Sequence, residues 1–289
     1  MRAGRAAPYG AGMTWTRTDS TDDDVRGIAE HPGASAPASQ DAAAAALRRA
    51  YLLFARRIPG GGARLDDSGV ETLAIPVPKA RMNGLLLPAH PVDPARLREL
   101  AEPFIGGPWS MSAVGHEAAG VAGLAAELGL VRVVLPSLTL PLRETTAQPP
   151  RAASEEVLTV GSDAERLLWA TTCDVAFGSP AGLSARLLTP ELAAAPEVRA
   201  HLAVLDGRPV ATALSVLDEQ GRLGLFTVGT APEARRRGVG ARLVRAVLQD
   251  GARRGARTAY LQSSDMARSL YDRIGFRDDL HPTVSFETP

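Results

Sequence analysis

Residues 223 to 241, LGLFTVGTAPEARRRGVGA, pass from an apolar stretch of strand character into a segment of helical period near Val239, and this junction constrains the fold more than any other feature. Gly238 and Gly240 let the backbone take turns closed to other residues, so its N–H groups can approach a ligand. The first N–H groups of the following helix have no intrahelical partners and lie at the positive end of its dipole. Such a junction suits a pyrophosphate, with arginines adding charge. Two common phosphate patterns are excluded. No Gly-Lys-Ser/Thr follows, and Leu243 stands where a dinucleotide fingerprint needs a third glycine or alanine.

The flanking sequence gives the sheet that the junction needs. EEVLTV reads as strand, SDAERLLWATTCDVAF as a helix capped by Ser162, and TPELAAA as a short helix. VRAHLAVLDG, RPVATALSVLDEQ and RLGLFTVGT read as a three-stranded meander. GVGARLVRAVLQDGARRG is helix, ARTAYLQ strand, DMARSLYDRIG a helix ending at Gly275, and FRDD and TVSFE short closing strands. The order predicts an α/β fold with a mixed sheet flanked by helices.

The chain has 289 residues, room for about two domains. It is 45% hydrophobic and 22% charged, which excludes collagen, wholesale disorder and a small disulfide scaffold. With 32 basic and 32 acidic residues, it has no overall bias toward nucleic acid or anionic lipid. No apolar run reaches the roughly 18 to 20 residues of a membrane helix, and the opening MRAGRAAPYGAG lacks the apolar core of a signal peptide. Cys173 is the single cysteine, and no Cys/His cluster has zinc spacing, so no metal is expected and the cytoplasm is the expected compartment. Lys79 is the one lysine among the basic residues; this arginine bias reads as genome composition rather than phosphate recognition.

Residues 1–40 read as a solvated tail, with a partner-binding arm as the alternative. Residues 41–143 read as a first α/β domain: helix from Asp41, strands in GVETLAIPVP and MNGLLLPA, and a helix from Asp93-Pro94. A strand in PWSMSAV, a helix ending at Gly129 and a strand VRVVLPSLTLPL follow. Residues 144–154, with Pro149 and Pro150, read as a linker to a second domain at 155–289.

The run VGTAPEARRRGVGARLV, followed by ARSLYDRIGF, resembles the GNAT superfamily of N-acetyltransferases. Arg235, Gly238 and Gly240 match its Arg/Gln-x-x-Gly-x-Gly/Ala loop, and Ala267, Leu270, Tyr271, Gly275 and Phe276 match its Ala-x-x-Leu-Tyr-x-x-x-Gly-Phe helix end. The resemblance extends over residues 155–289. It implies acetyl-CoA between two splayed parallel strands, with the backbone of Val228, Gly229 and Thr230 pairing with pantetheine. It further implies that the loop Arg235, Arg236, Arg237, Gly238, Val239, Gly240 and Ala241 cradles the pyrophosphate, and that Tyr271 protonates the departing thiolate. Ser264 stands where the family often has asparagine, with shorter reach toward the pantetheine arm. The strand before the loop lacks the carboxylate that many members use as general base, which leaves the base unassigned. Asp265 is read as a helix cap and Asp174 as a solvated helix residue.

The first domain reads as an eroded copy of the second, an unrelated α/β cap being the alternative. Leu124 to Leu130 lines up with Leu270 to Phe276, which puts Ala125 at the tyrosine position, and HPVDPARL lacks the paired glycines. His90, His116, His201 and His281 are read as surface or packing residues, and Trp109 and Trp169 as core, with Trp169 or Phe177 as alternative walls of an acceptor pocket. The resemblance implies acetyl transfer to a primary amine of a small molecule, a protein amine being the second choice. A larger acyl donor and a non-catalytic acyl-CoA-binding module are the rival functions. No nucleic-acid or membrane partner is expected, and the oligomeric state is open.

Overall fold

The structure, a computed structural model, describes residues 41–116, 120–142, 155–279 and 282–289. The expected tail and linker, and His281, lie outside the described residues. The chain opens with helix α1 (Asp41–Arg57), then strands β1 (Gly62–Leu65), β2 (Glu71–Ala74) and β3 (Asn83–Leu86), and helix α2 (Pro94–Ala101). Strand β4 (Ser110–Val114), helix α3 (Ala122–Glu127) and strands β5 (Val131–Leu135) and β6 (Ser137–Pro141) complete the first half. The second half runs β7 (Glu155–Thr159), α4 (Asp163–Phe177), α5 (Leu183–Leu187), α6 (Pro190–Ala193), β8 (Val198–Leu205), β9 (Arg208–Leu217) and β10 (Arg222–Thr230). It continues with α7 (Val239–Arg253), β11 (Thr258–Gln262), α8 (Asp265–Ile274), β12 (Arg277–Asp278) and β13 (Thr283–Glu287).

These strands form two mixed sheets, ordered β1-β2-β3-β4-β13-β5 and β12-β6-β11-β10-β9-β8-β7. Each holds one parallel pair, β3 with β4 and β10 with β11. The halves trade their last strands. β6 of the first half lies between β11 and β12 of the second, and β13 lies between β4 and β5 of the first. The expected single strand VRVVLPSLTLPL is therefore two strands in different sheets, with Pro136 between them. Proline has no N–H for either ladder, so the switch falls where a hydrogen bond is missing already.

Three apolar cores follow from this layering. α2 and α3 cover the outer face of the first sheet around Leu85, Leu97, Trp109 and Met111. α7 and α8 cover one face of the second around Leu223, Leu243, Val247 and Phe276. The third core lies between the halves, where α1 packs with α4, α5 and α6. α1 presents Ala43, Leu47, Ala50, Tyr51, Phe54 and Ala55 at helical spacing, all buried. Its Phe54 meets Phe226 of β10 edge-on at 5.2 Å. Each such large side chain contributes about 1.5–3 kcal/mol on burial, so α1 stitches the halves together.

The two halves share a helix stop. Phe276 N–H donates to the Tyr271 carbonyl at 3.1 Å across Gly275, whose φ is 115°. Leu130 N–H donates to the Ala125 carbonyl at 2.9 Å across Gly129, whose φ is 72°. The same six-to-one bond over a left-handed glycine ends both helices. α3 is shorter than the helix expected to end at Gly129; residues 117–119 of that stretch lie outside the described residues.

Candidate active site

β10 and β11 pair only from Arg222↔Thr258 to Gly224↔Tyr260, although β10 runs on to Thr230 and β11 to Gln262. Past Gly224 the strands part, and a notch opens between them. On its other side β10 stays paired with β9 as far as Thr230, with a bulge between Phe226 and Gly229 and Thr227 at φ 46°. The bulge lies beyond the last β10–β11 pair, and Val228, Gly229 and Thr230 belong to the part of β10 that has no β11 partner. Thr227 Oγ1 and Gln262 Nε2, one on each strand, are buried without a hydrogen-bond partner among the described residues. An unmet buried polar atom costs about 1–3 kcal/mol.

The loop after β10 ends at the N-terminus of α7. Arg236 has φ 60° and Gly238 φ 78°, while Arg237 and Val239 are not among the positive-φ residues. This alternation turns successive N–H groups to one side, the concave nest that holds anions. Gly238 caps α7 with no side-chain hydrogen bond, and the first turn carries no acid. Helix α4 is the contrast: Ser162 and Glu165 form a full capping box, with Asp163 beside them. Arginines at a helix N-terminus oppose its dipole, so α7 begins with an electrostatic conflict that an anion relieves. Gly240 packs closely against β10: a Cβ there would lie 3.0 Å from Thr230 Oγ1.

The structure separates the arginines by role. Arg235 Nε donates to the Thr230 carbonyl at 3.0 Å, and its Nη2 to the Ala176 carbonyl at 3.0 Å. It fastens the loop to β10 and α4, and its guanidinium is already committed. Arg236 and Arg237 stay exposed, the latter 3.9 Å from Asp206.

Tyr271 is buried against Phe276, ring to ring at 5.7 Å, and burial pushes its phenol up to about 12. Ser264 is the exposed residue ahead of α8 and makes no capping bond with its side chain. Asp265, expected as the cap, is instead the first residue of α8. Asp174 is not solvated: it is buried, and its carboxylate accepts from the N–H groups of Gly182 (2.7 Å) and Ser184 (2.8 Å). Neither faces the role of a free base. Trp169 is fully buried, with Nε1 donating to the Ala213 carbonyl at 3.1 Å, so it is core. Phe177 packs over β10: a Cβ on Gly229 would lie 2.6 Å from its ring. His201 is buried beside Ser215 Oγ at 3.3 Å, away from these groups in the β8–β9 pairing.

Sequence reasoning missed the contributions of the first half. Tyr51 Oη donates to Gln262 Oε1 at 3.2 Å, and Lys79 Nζ lies 5.6 Å from the centre of the Phe177 ring. Lys79 stood out in composition alone, and nothing local tied it to Phe177.

Two loop residues of positive φ, an uncapped helix and a notch between parallel strands converge in one stretch of chain, and residues 167–276 match a sequence model of the Acetyltransferase (GNAT) family. This segment is a GNAT domain. The fold is similar to a GCN5-related N-acetyltransferase from Kribbella flavida, at 23% identity and TM-score 0.64, over 86% of this chain and 95% of that one. It is also similar to a GCN5-related N-acetyltransferase-like protein from Streptococcus suis, at 14% identity and TM-score 0.56, over 86% and 99%. A tandem GNAT protein from the clavulanic acid biosynthesis pathway matches at 16% identity and TM-score 0.50, over 67% of each chain. These likenesses concern the fold, and the first two extend across both halves. No curated protein matches. GNAT proteins are acyltransferases that use an acyl-CoA. No helix among the described residues is long and apolar enough to cross a membrane.

The first half differs from the second at the start of α2 and in α3. The β3–β4 pairing also spans three rows, from Gly84↔Ser110 to Leu86↔Ser112, the last closed by Leu87 N–H donating to the Ser112 carbonyl at 2.9 Å. Asp93 caps α2 by accepting from Ala95 N–H at 2.9 Å, which places a carboxylate where a pyrophosphate would sit. Ala125 stands fully buried at the tyrosine position.

Proposed function

We propose that the chain is an acetyl-CoA-dependent N-acetyltransferase, with residues 155–289 as the catalytic domain, acting on a primary amine of a small molecule. The observation that carries this reading is the uncapped, arginine-rich N-terminus of α7 at the mouth of the notch between β10 and β11. Bound acetyl-CoA supplies an activated acetyl thioester, which the acceptor amine attacks in a ternary complex. The backbone of Val228, Gly229 and Thr230 holds the pantetheine arm as an added strand and aligns the carbonyl. N–H groups from Arg236 to Ala241 bind the pyrophosphate, with Ser264 toward the pantetheine arm. Tyr271 donates its phenolic proton to the thiolate as the carbon–sulfur bond breaks, and the proton shed by the amine restores it. The first half, residues 41–143, has become a cover for the acceptor side.

Calorimetric titration of the full chain with acetyl-CoA tests this reading; saturation at one site per chain is expected. Gly240→Asp should abolish that binding, because the new carboxylate meets Thr230 and repels phosphate. Undiminished affinity in this variant refutes the loop assignment, and two sites per chain refute the loss of the first.

A further inference from the structure

The connection between β2 and β3 belongs to the first half but reaches the end of α4 in the second, beside β10. Asn83 holds it in one shape. Its Oδ1 accepts from Ile75 N–H at 2.9 Å, and its Nδ2 donates to the carbonyls of Val77 at 2.8 Å and Lys79 at 3.1 Å. Asn83 is buried, and the N–H groups of Val77 and Lys79 each bond two residues back at 2.7 Å. The backbone of Lys79 is thus fixed, and its ammonium is held over the ring of Phe177, the last residue of α4. The same ring touches Gly229, on the stretch of β10 assigned to pantetheine.

An aromatic face attracts an ammonium without accepting hydrogen bonds in a fixed direction, so the N–H donors of Lys79 stay available. Lys79 has no carboxylate within ion-pair range among the described residues. Its neighbours differ: Arg81 is paired with Glu287 at 2.6 Å, and Arg235 is spent on two carbonyls. Lys79 is therefore a positioned cation without a counter-charge among the described residues, one aromatic ring away from the donor strand.

We propose that Lys79 binds a carboxylate carried by the acceptor, so that the substrate class is small amines bearing a carboxylate. The first half then supplies acceptor specificity to a site whose donor loop lies wholly in the second. This inference rests on the acetyl-transfer reading above.

The test uses the full chain and the variants Lys79→Met and Lys79→Arg, assayed by CoA release with amines that differ only in a carboxylate. Phenylalanine against phenethylamine and lysine against cadaverine are suitable pairs. The unaltered chain should favour the carboxylated member by about tenfold or more in kcat/KM, the scale of one charge-assisted hydrogen bond. Lys79→Met should lose that preference mainly through KM, Lys79→Arg should recover most of it, and acetyl-CoA affinity should be the same in all three. A preference absent from the unaltered chain, or surviving in Lys79→Met, overturns the proposal. So does turnover of neither member of either pair by a chain that binds acetyl-CoA. Failure to bind acetyl-CoA overturns the transfer reading itself, and the carboxylate proposal with it.

Discussion

Tyr271 illustrates how burial prepares a single side chain. A phenol near its ordinary pKa of about 10 is a serviceable acid for a thiolate at neutral pH. Burial moves Tyr271 to about 12, so it stays protonated well into the alkaline range. The rate should therefore show no alkaline loss from this group at pH 10, where an exposed tyrosine is half ionised. Tyr271→Phe keeps the ring contact with Phe276 and removes the proton. We expect turnover to fall about 100-fold with acetyl-CoA affinity unchanged, measured by steady-state kinetics beside calorimetry. A fall under about tenfold would remove Tyr271 from the acid role. His201 is the opposite case. Burial, partly offset by Asp250, holds its imidazole down to about 4, and it is neutral when folded. The unfolded chain binds a proton at about 6.5. Its contribution is thus complete above that pH and is lost as pH falls toward 4. The loss is on the order of 3 kcal/mol, and His201→Phe should flatten this part of the stability curve measured by urea titration.

At the scale of elements, the two halves end corresponding helices alike and begin them differently. Glycine stops occur in both, at Gly129 and Gly275, because a left-handed residue is needed whatever the helix binds. The starts of α2 and α7 are matters of ligand. Asp93 gives α2 its own anion, whereas α7 begins with glycine, after the exposed Arg236 and Arg237. Asp93→Ala should cost about 1 kcal/mol of stability by thermal melting, with no effect on acetyl-CoA binding. Arg236→Gly should do the reverse, since it relieves a positive φ and removes a charge from the nest. A higher melting temperature with weaker acetyl-CoA binding is expected. The capping glycines were legible from sequence because they act within four residues. Asp174 was not: its partners Gly182 and Ser184 lie beyond the end of α4, and their position depends on how α5 packs.

The exchange of last strands makes the molecule one folding unit. β13 is anchored in the first sheet along both edges, and Trp109 N–H donates to Thr288 Oγ1 at 3.1 Å just beyond it. A fragment of residues 155–289 lacks β6, so β11 and β12 lose the strand that joins them and Phe276 and Leu261 lose the cover of Leu138. We expect this fragment to be insoluble or unable to bind acetyl-CoA, and to recover both when co-expressed with residues 41–143. The full chain should unfold in one calorimetric transition. Two separated transitions would mean that the exchanged strands contribute little.

Local chemistry in the sequence determined the helices with their caps, the meander, the strand-to-helix junction at Arg235 to Ala241 and the tyrosine above Gly275. Each rests on contacts between residues close in the chain, or on a period of two or 3.6. The tertiary structure alone decided which sheet each closing strand joins, because VRVVL, SLTLP and TVSFE are all short, five-residue strands whose local sequence names no partner. Only the joint packing of α1 and both sheets distinguishes the pairings. The same packing carries Lys79, 98 residues from Phe177 along the chain, to the edge of the donor strand.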